Sequence, residues 1–202
     1  MIIDIDRVNR LHKETVERWH SEPVANSYEG IWSIVCQQHS FNFLLWHEED
    51  IARSPNVGDT KVAEVKRAID GFNQNRNDWI EKVDDWITGY LMEARISPAI
   101  DAPLNTETPG SVIDRLSIMS LRIYHMLEQC DRDDASEQHL ASVRQKLALC
   151  YEQQKDLSQS LRELLDSIER GEKRHKTYRQ MKMYNDASLN PYLYDAGLKK
   201  AG

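Results

Sequence analysis

The sequence predicts an all-α helical bundle with a long C-terminal helix or helical arm, and three observations predict it. Apolar residues recur at three- and four-residue spacing through most of the 202 positions. No stretch alternates polar and apolar as a half-buried strand would. Only eight glycines and six prolines are present, so turns are few and elements are long. Apolar residues at 40% and charged residues at 29% are a globular composition, and the length suits one domain that needs neither metal nor disulfide to close its core. Residues 1–170 are expected to form the bundle, and residues 171–202 a basic helical or extended tail that packs on it or extends from it.

The elements follow in order. Ile5, Val8, Leu11, Val16 and Trp19 set a first helix over about residues 3–19, which Pro23 ends. Asn26 or Ser27 is the expected N-cap of a second helix reaching about Arg53. Ser54-Pro55-Asn56-Val57-Gly58 is a tight turn, after which Asp59 or Thr60 caps a third helix to about Arg95 with a break near Gly89. Residues 98–110 read as a loop. A nearly all-apolar fourth helix spans about residues 111–129 and stops at the charged cluster of residues 131–134. The fifth runs from Ser136 to about Arg170, and Leu140, Val143, Leu147, Cys150, Leu157, Leu161 and Ile168 give it coiled-coil spacing.

Composition excludes several classes. A net charge of −7 argues against a nucleic-acid binder, which would need a basic patch to neutralise phosphates. The one basic stretch, Lys173-Arg174-His175-Lys176 with Arg179, Lys182, Lys199 and Lys200, follows an acidic helix and reads as a solvated or partner-facing arm. Cys36, Cys130 and Cys150 are too few and too far apart for a disulfide framework or a CxxC metal knuckle. With no secretory leader at the acidic N-terminus, they place the protein in a reducing cytoplasm. The most apolar run, residues 41–46, is too short for a membrane span.

Helices two and three carry the functional argument. At about 100° per residue, helix two is apolar on every side: Leu44 with Ile51, Phe41 with Ala52, then Phe43, and Ile31, Val35 and Trp46 on the remaining arc. A helix apolar all round is buried all round. Yet the last arc also holds Gln38, His39, Asn42, Glu49, Asp50 and Arg53, whose uncompensated burial costs about 1–3 kcal/mol each. They must meet partners, ligand, metal or water in a cleft. Helix three offers a complementary stripe of Lys66, Asp70, Asn73, Gln74, Asn77, Asp78, Glu81, Asp84 and Asp85. The stripe also reads as a plain solvated face, but Asp70-Gly71 and residues 73–78 are poor helix formers that solvated faces avoid.

The short turn packs the two helices antiparallel, bringing Glu49 and Asp50 near Lys66 and Asp70, and His39 and Asn42 near Asn73 and Asn77. Carboxylates, amides, an imidazole and the cations Arg53, Lys66 and Arg67 would then share one cleft. That mixture suits a phosphate- or sugar-bearing ligand, with Mg²⁺ held by the carboxylates.

Other chemistries are weaker. Glu81-x-x-Asp84 with Glu49-Asp50 loosely resembles the carboxylate layout of all-α nucleoside triphosphate pyrophosphohydrolases, where acids on facing helices hold Mg²⁺. The ExxE partner of that layout is missing. Two ExxH strings, at residues 17–20 and 172–175, resemble half of a carboxylate-bridged di-iron set, but both lie near helix ends and read as chance. His39 and His47 do not form an HxxxH pair, which argues against zinc on helix two. Asp114, Arg122 and His125 share a face of helix four, where a structural Asp–Arg pair is expected. Ser111, Ser117 and Ser120 match no nucleophile elbow, and there is no glycine-rich phosphate loop.

The strings NSYEGIWSIVCQQHSFNFLLWHEEDIAR, VKRAIDGFNQNRNDWIEKVD, TPGSVIDRLSIMSLRIYHM and YRQMKMYNDASLNPYLY resemble a bacterial family of roughly 200-residue all-helical proteins known as a domain of unknown function. The resemblance implies an association with envelope-glycan genes such as those for lipopolysaccharide assembly, and no reaction. By position it singles out His39, Asn42, Trp46, Glu49, Asp50 and Arg53, then Asp70, Asn73, Gln74, Arg76, Asn77 and Asp78, then Asp114 and Arg115, and in the tail Lys182, Tyr184 and Asn185. Combined with the seam, the expected ligand-binding residues are His39, Asn42, Trp46, Arg53, Lys66, Asn73, Gln74, Arg76, Asn77, Asp114 and Arg115. Glu49, Asp50, Asp70 and Asp78 are the expected bases, the first three also metal ligands. The rival reading is a non-enzymatic interaction or scaffold protein, whose long fifth helix pairs with a partner or a second copy while the polar seam fixes helix register.

Overall fold

The computed structural model describes residues 2–181 and 186–194. Five long helices carry the fold: α1 (Ile5–Trp19), α2 (Gly30–Arg53), α3 (Asp59–Glu93), α4 (Pro109–Cys130) and α5 (Glu137–Glu169). A single turn, α6 (Pro191–Tyr194), lies in the tail. Among the described residues there is no strand beyond one isolated bridge between Leu104 and Arg174. No described helix is long and apolar enough to cross a membrane.

The helix starts show where local chemistry agrees with the pattern and where it does not. Asp4, Thr108 and Ser136 each accept a backbone N–H three residues on, capping α1, α4 and α5. The expected cap of α2 at Asn26 or Ser27 is not the one used. Gly30 takes a positive φ of 57°, which glycine adopts cheaply, so α2 begins only there. Asn26 instead braces the preceding loop, donating to the Ser33 carbonyl at 2.9 Å. Likewise α3 starts after Gly58 and runs without a break through Gly89.

One core binds α1, α2, α4 and α5, with Ile5, Val8, Val35, Ile113, Leu116 and Leu161 among its innermost residues. α3 joins it through Val83 and Ile87, while a smaller cluster of Leu45, Val65 and Ile69 zips the α2–α3 hairpin. The far end of α2 is not buried all round, since Ile51 is exposed. The coiled-coil stripe of α5 is consumed inside the chain. Val143, Cys150, Leu161, Leu164 and Ile168 are buried, and Leu140, Leu147 and Leu157 partly so, against α4 and α1.

Two glycines are required by contact. A Cβ on Gly171, whose φ is +73°, would lie 2.8 Å from the Ser97 carbonyl oxygen. A Cβ on Gly110 would lie 2.6 Å from the Ile80 carbonyl oxygen, so the start of α4 presses directly on the α3 backbone. Buried Asp84 closes the same junction by accepting the Gly110 N–H at 2.8 Å, and burial pushes its carboxyl up from the usual range.

The basic stretch after α5 makes contacts within the chain although Arg174, Lys176 and Arg179 stay exposed. Arg179 pairs with Glu81 at 3.0 Å and Asp85 at 2.8 Å, and the His175 ring bonds the Asp84 carbonyl at 2.9 Å. Lys173 reaches Asn105 at 2.9 Å. Lys182, Tyr184, Asn185, Lys199 and Lys200 lie outside the described residues.

Candidate functional site

Of the polar arc of α2, Gln38, His39 and Asn42 are buried while Glu49 is half-buried and Asp50 and Arg53 are exposed, and the helix that the buried part faces is α4. Asp114, 4% exposed, stands at the centre. Its Oδ1 accepts from Gln38 Nε2 at 2.5 Å, Asn42 Nδ2 at 2.9 Å and Arg76 Nε at 2.7 Å, and its Oδ2 accepts from Arg76 Nη2. Side chains from α2 and α3 thus converge on one α4 carboxylate. The expected Asp–Arg pair exists, with Arg76 of α3 in place of Arg122. The pairing raises the Arg76 guanidinium above its ordinary value. It also repays burial of the charge, because every lone pair turned inward finds a donor.

Next to this hub, Ser117 Oγ accepts from Asn42 at 2.8 Å and lies 2.6 Å from His39 Nδ1. His39 is fully buried and stacked between Trp19 at 5.3 Å and His12 at 4.5 Å. Burial holds His12 down to about 3 and, with His12 beside it, keeps His39 well below the ordinary imidazole range. Both rings are neutral at pH 7. His39 therefore belongs to the core against α1 and α4, and the α2–α3 cleft expected to hold it does not contain it.

An open cleft of about 430 Å³ lies over the hub. Asn42, Trp46, Glu49, Asp50 and Arg53 border it from α2, Asn73 and Arg76 from α3, and Ile118, Leu121 and Arg122 from α4. Of the residues expected at the seam, these seven from α2 and α3 are brought together, and Asp114 holds Arg76 from beneath. Glu49 pairs with Arg53 at 2.9 Å. Arg122, seen in the sequence only as a helix-face residue, projects into the cleft and makes no ion pair among the described residues.

Lys66, Asp70, Gln74, Asn77 and Asp78 do not line the cleft. Lys66 and Asp70 pair with each other at 2.5 Å, and Gln74 donates to Asp78 at 2.8 Å, both along exposed α3. The three carboxylates expected to share a metal accordingly split: Glu49 and Asp50 border the cleft and Asp70 does not. Arg115 pairs with Glu107 at 2.8 Å and borders a separate α4–α5 groove. Glu81 and Asp84 hold the tail and the start of α4, so the pyrophosphohydrolase-like pair is spent on architecture.

The reason is geometric. α4 wedges into the groove of the α2–α3 hairpin, so the two helices share a carboxylate on a third element instead of facing each other across open space. The sequence signal was Asp114 with Ser117 three residues on, a polar pair on the buried stripe of an otherwise apolar helix.

Fold and site together define an all-α bundle built round a buried ionic hub with an arginine-bordered cleft above it. The chain belongs to the family described as Protein of unknown function (DUF4254), whose model matches residues 32–177. That span contains every hub and cleft residue named above. No curated protein and no solved structure matches the chain significantly.

Proposed function

We propose that the cleft binds a phosphorylated small molecule, a sugar phosphate or nucleotide-like ligand. One observation carries the reading: Arg76 spends Nε and one Nη on buried Asp114 and is held with its remaining N–H donors at the cleft wall. Arg122 adds a second cation on the facing helix, Asn73 borders the cleft with its amide, and Asn42, whose NH2 is held by Asp114 and Ser117, can offer only its carbonyl oxygen. Trp46 offers an aromatic face for a sugar or base. Glu49 and Asp50 on the opposite rim would hold Mg²⁺ against the phosphate or serve as base for hydrolysis or modification. A volume of about 430 Å³ accommodates a ligand of that size. The resemblance to an envelope-glycan-associated bacterial family favours the sugar phosphate.

The partner-binding reading loses its main support, because the α5 stripe is occupied by α4 and α1.

The test is a thermal-shift and calorimetry panel of inorganic phosphate, a hexose 1-phosphate, a nucleoside monophosphate and a sugar nucleotide, each with and without Mg²⁺. At least one is expected to bind. Arg122→Ala should weaken it at least about tenfold while changing stability by less than about 0.5 kcal/mol. Absence of binding by every probe would overturn the proposal.

A further inference from the structure

Three histidines from three helices meet beside the C-terminal end of α1. His20, at the cap of α1, His47 of α2 and His125 of α4 each offer a ring nitrogen, and these atoms lie within 4.8 Å of one another. The ring planes cross at 72°, 71° and 76°, so the imidazoles surround a common point instead of stacking on each other. Nε2 of all three is shielded from solvent and has no hydrogen-bond partner.

Hydrogen bonds at the other nitrogens fix what those Nε2 atoms are. His20 Nδ1 lies 2.7 Å from the Val16 carbonyl oxygen, which can only accept, so Nδ1 carries the hydrogen. His125 Nδ1 lies 2.6 Å from a Glu128 carboxylate oxygen, which puts its hydrogen there too. In the neutral rings both Nε2 atoms then present lone pairs to the same small space, and His47 can bring at most one N–H to it. Two converging lone pairs repel each other and attract a cation. An imidazole whose far nitrogen donates to a carbonyl or carboxylate is the arrangement that orients metal-binding histidines.

The surroundings hold the rings in place. Tyr124 stacks on His20 at 4.0 Å and Trp46 on His125 at 4.8 Å, while Phe43 meets His20 and His47 edge-on. Metal–nitrogen bonds of 2.0–2.1 Å in tetrahedral geometry place ligand nitrogens about 3.3 Å apart. The three ring nitrogens, within 4.8 Å of one another, would close on the ion to reach that spacing.

We propose that His20, His47 and His125 bind one divalent transition metal of the zinc class through Nε2, leaving a fourth position for solvent or a small ligand. An all-imidazole set selects zinc, cobalt, nickel or copper over magnesium. It differs from the HxxxH pattern that argued against zinc on α2, because its ligands come one from each of three helices. The site uses none of the cleft's arginines, amides or carboxylates and shares only the Trp46 indole with it.

The experiment uses the full chain without an affinity tag, titrated with Zn²⁺ by calorimetry and with Co²⁺ by visible absorption. Wild type should bind one equivalent and give the Co²⁺ bands of nitrogen coordination. His47→Ala and His125→Ala should each abolish the one-to-one isotherm. Glu128→Ala, which frees His125 Nδ1, should weaken it about 10- to 100-fold. His139→Ala, at an exposed position on α5, should leave it unchanged, as should Arg122→Ala, which separates this site from the cleft. Failure of wild type to bind one equivalent of Zn²⁺, or Co²⁺ bands that lack nitrogen coordination, would overturn the proposal whether or not the variants fold. Binding that survives both His47→Ala and His125→Ala would overturn it equally.

Discussion

The Asp114 hub, where α2, α3 and α4 meet, and the histidine trio, where the end of α1 meets α2 and α4, are both polar clusters, and they are built in opposite ways. At the hub, both carboxylate oxygens are saturated by Gln38, Asn42 and Arg76. At the trio, three shielded Nε2 atoms have no partner, and a ring nitrogen of each histidine lies within 4.8 Å of one on the other two. A buried polar group with every hydrogen bond made is part of the architecture. Three unpartnered ring nitrogens brought together from three helices are instead an arrangement that a bound cation would satisfy. The cleft lies between these extremes, since it borrows a guanidinium whose geometry the hub has already set.

That contrast can be broken most directly at Asp114. Asp114→Ala leaves a partly buried guanidinium and two buried amides without their acceptor, and should cost about 3–5 kcal/mol of unfolding free energy in a urea titration. A loss under 1 kcal/mol would show that the hub is not what holds the three helices. At the trio the effect should come from outside: Zn²⁺ at about a hundred times its Kd should raise wild-type stability by about 2.7 kcal/mol. The gain should vanish in His125→Ala.

The buried pair His12 and His39 sharpens the same contrast through pH. Both have folded-state values below the free-imidazole value, so the unfolded chain takes up the proton first. Their contribution is therefore complete above about pH 6.5 and lost as pH falls below it, for His12 down to about 3, at about 1.4 kcal/mol per pH unit for each proton taken up. Removing His12, whose two ring nitrogens have no partner, by His12→Leu should cut that slope by roughly one proton. The change at pH 7 should stay below about 1.5 kcal/mol. An unchanged acid slope in chemical denaturation would sink this account. The smallest effect is expected at Asp70, which pairs with Lys66 on the exposed face of α3. Asp70→Ala should move stability by under about 0.5 kcal/mol and leave ligand shifts in the cleft intact.

The sequence revealed the helices because helical spacing is local, and it revealed that Gln38, His39 and Asn42 must be buried. It could not reveal what they meet. The short turn at residues 54–58 made α3 the natural partner of α2, and nothing local shows that α4 fills the groove between them. The same applies to Arg76, whose partner is on a different helix after a long loop. The exposed pairs Lys66–Asp70 and Gln74–Asp78 show how weak helix formers can be satisfied along their own helix, without any site. The histidine trio was the least legible feature. His20 and His125 each looked like a residue near a helix end or face, and only the crossing of three helices gives them a common centre.

The bare Cα of Gly110 sets how far α4 can slide along its own axis, because it touches the α3 backbone at Ile80. Asp114 sits one turn further on. One methyl group at Gly110 would therefore act as a wedge at the doorway, putting the deep carboxylate out of step with the guanidinium across from it.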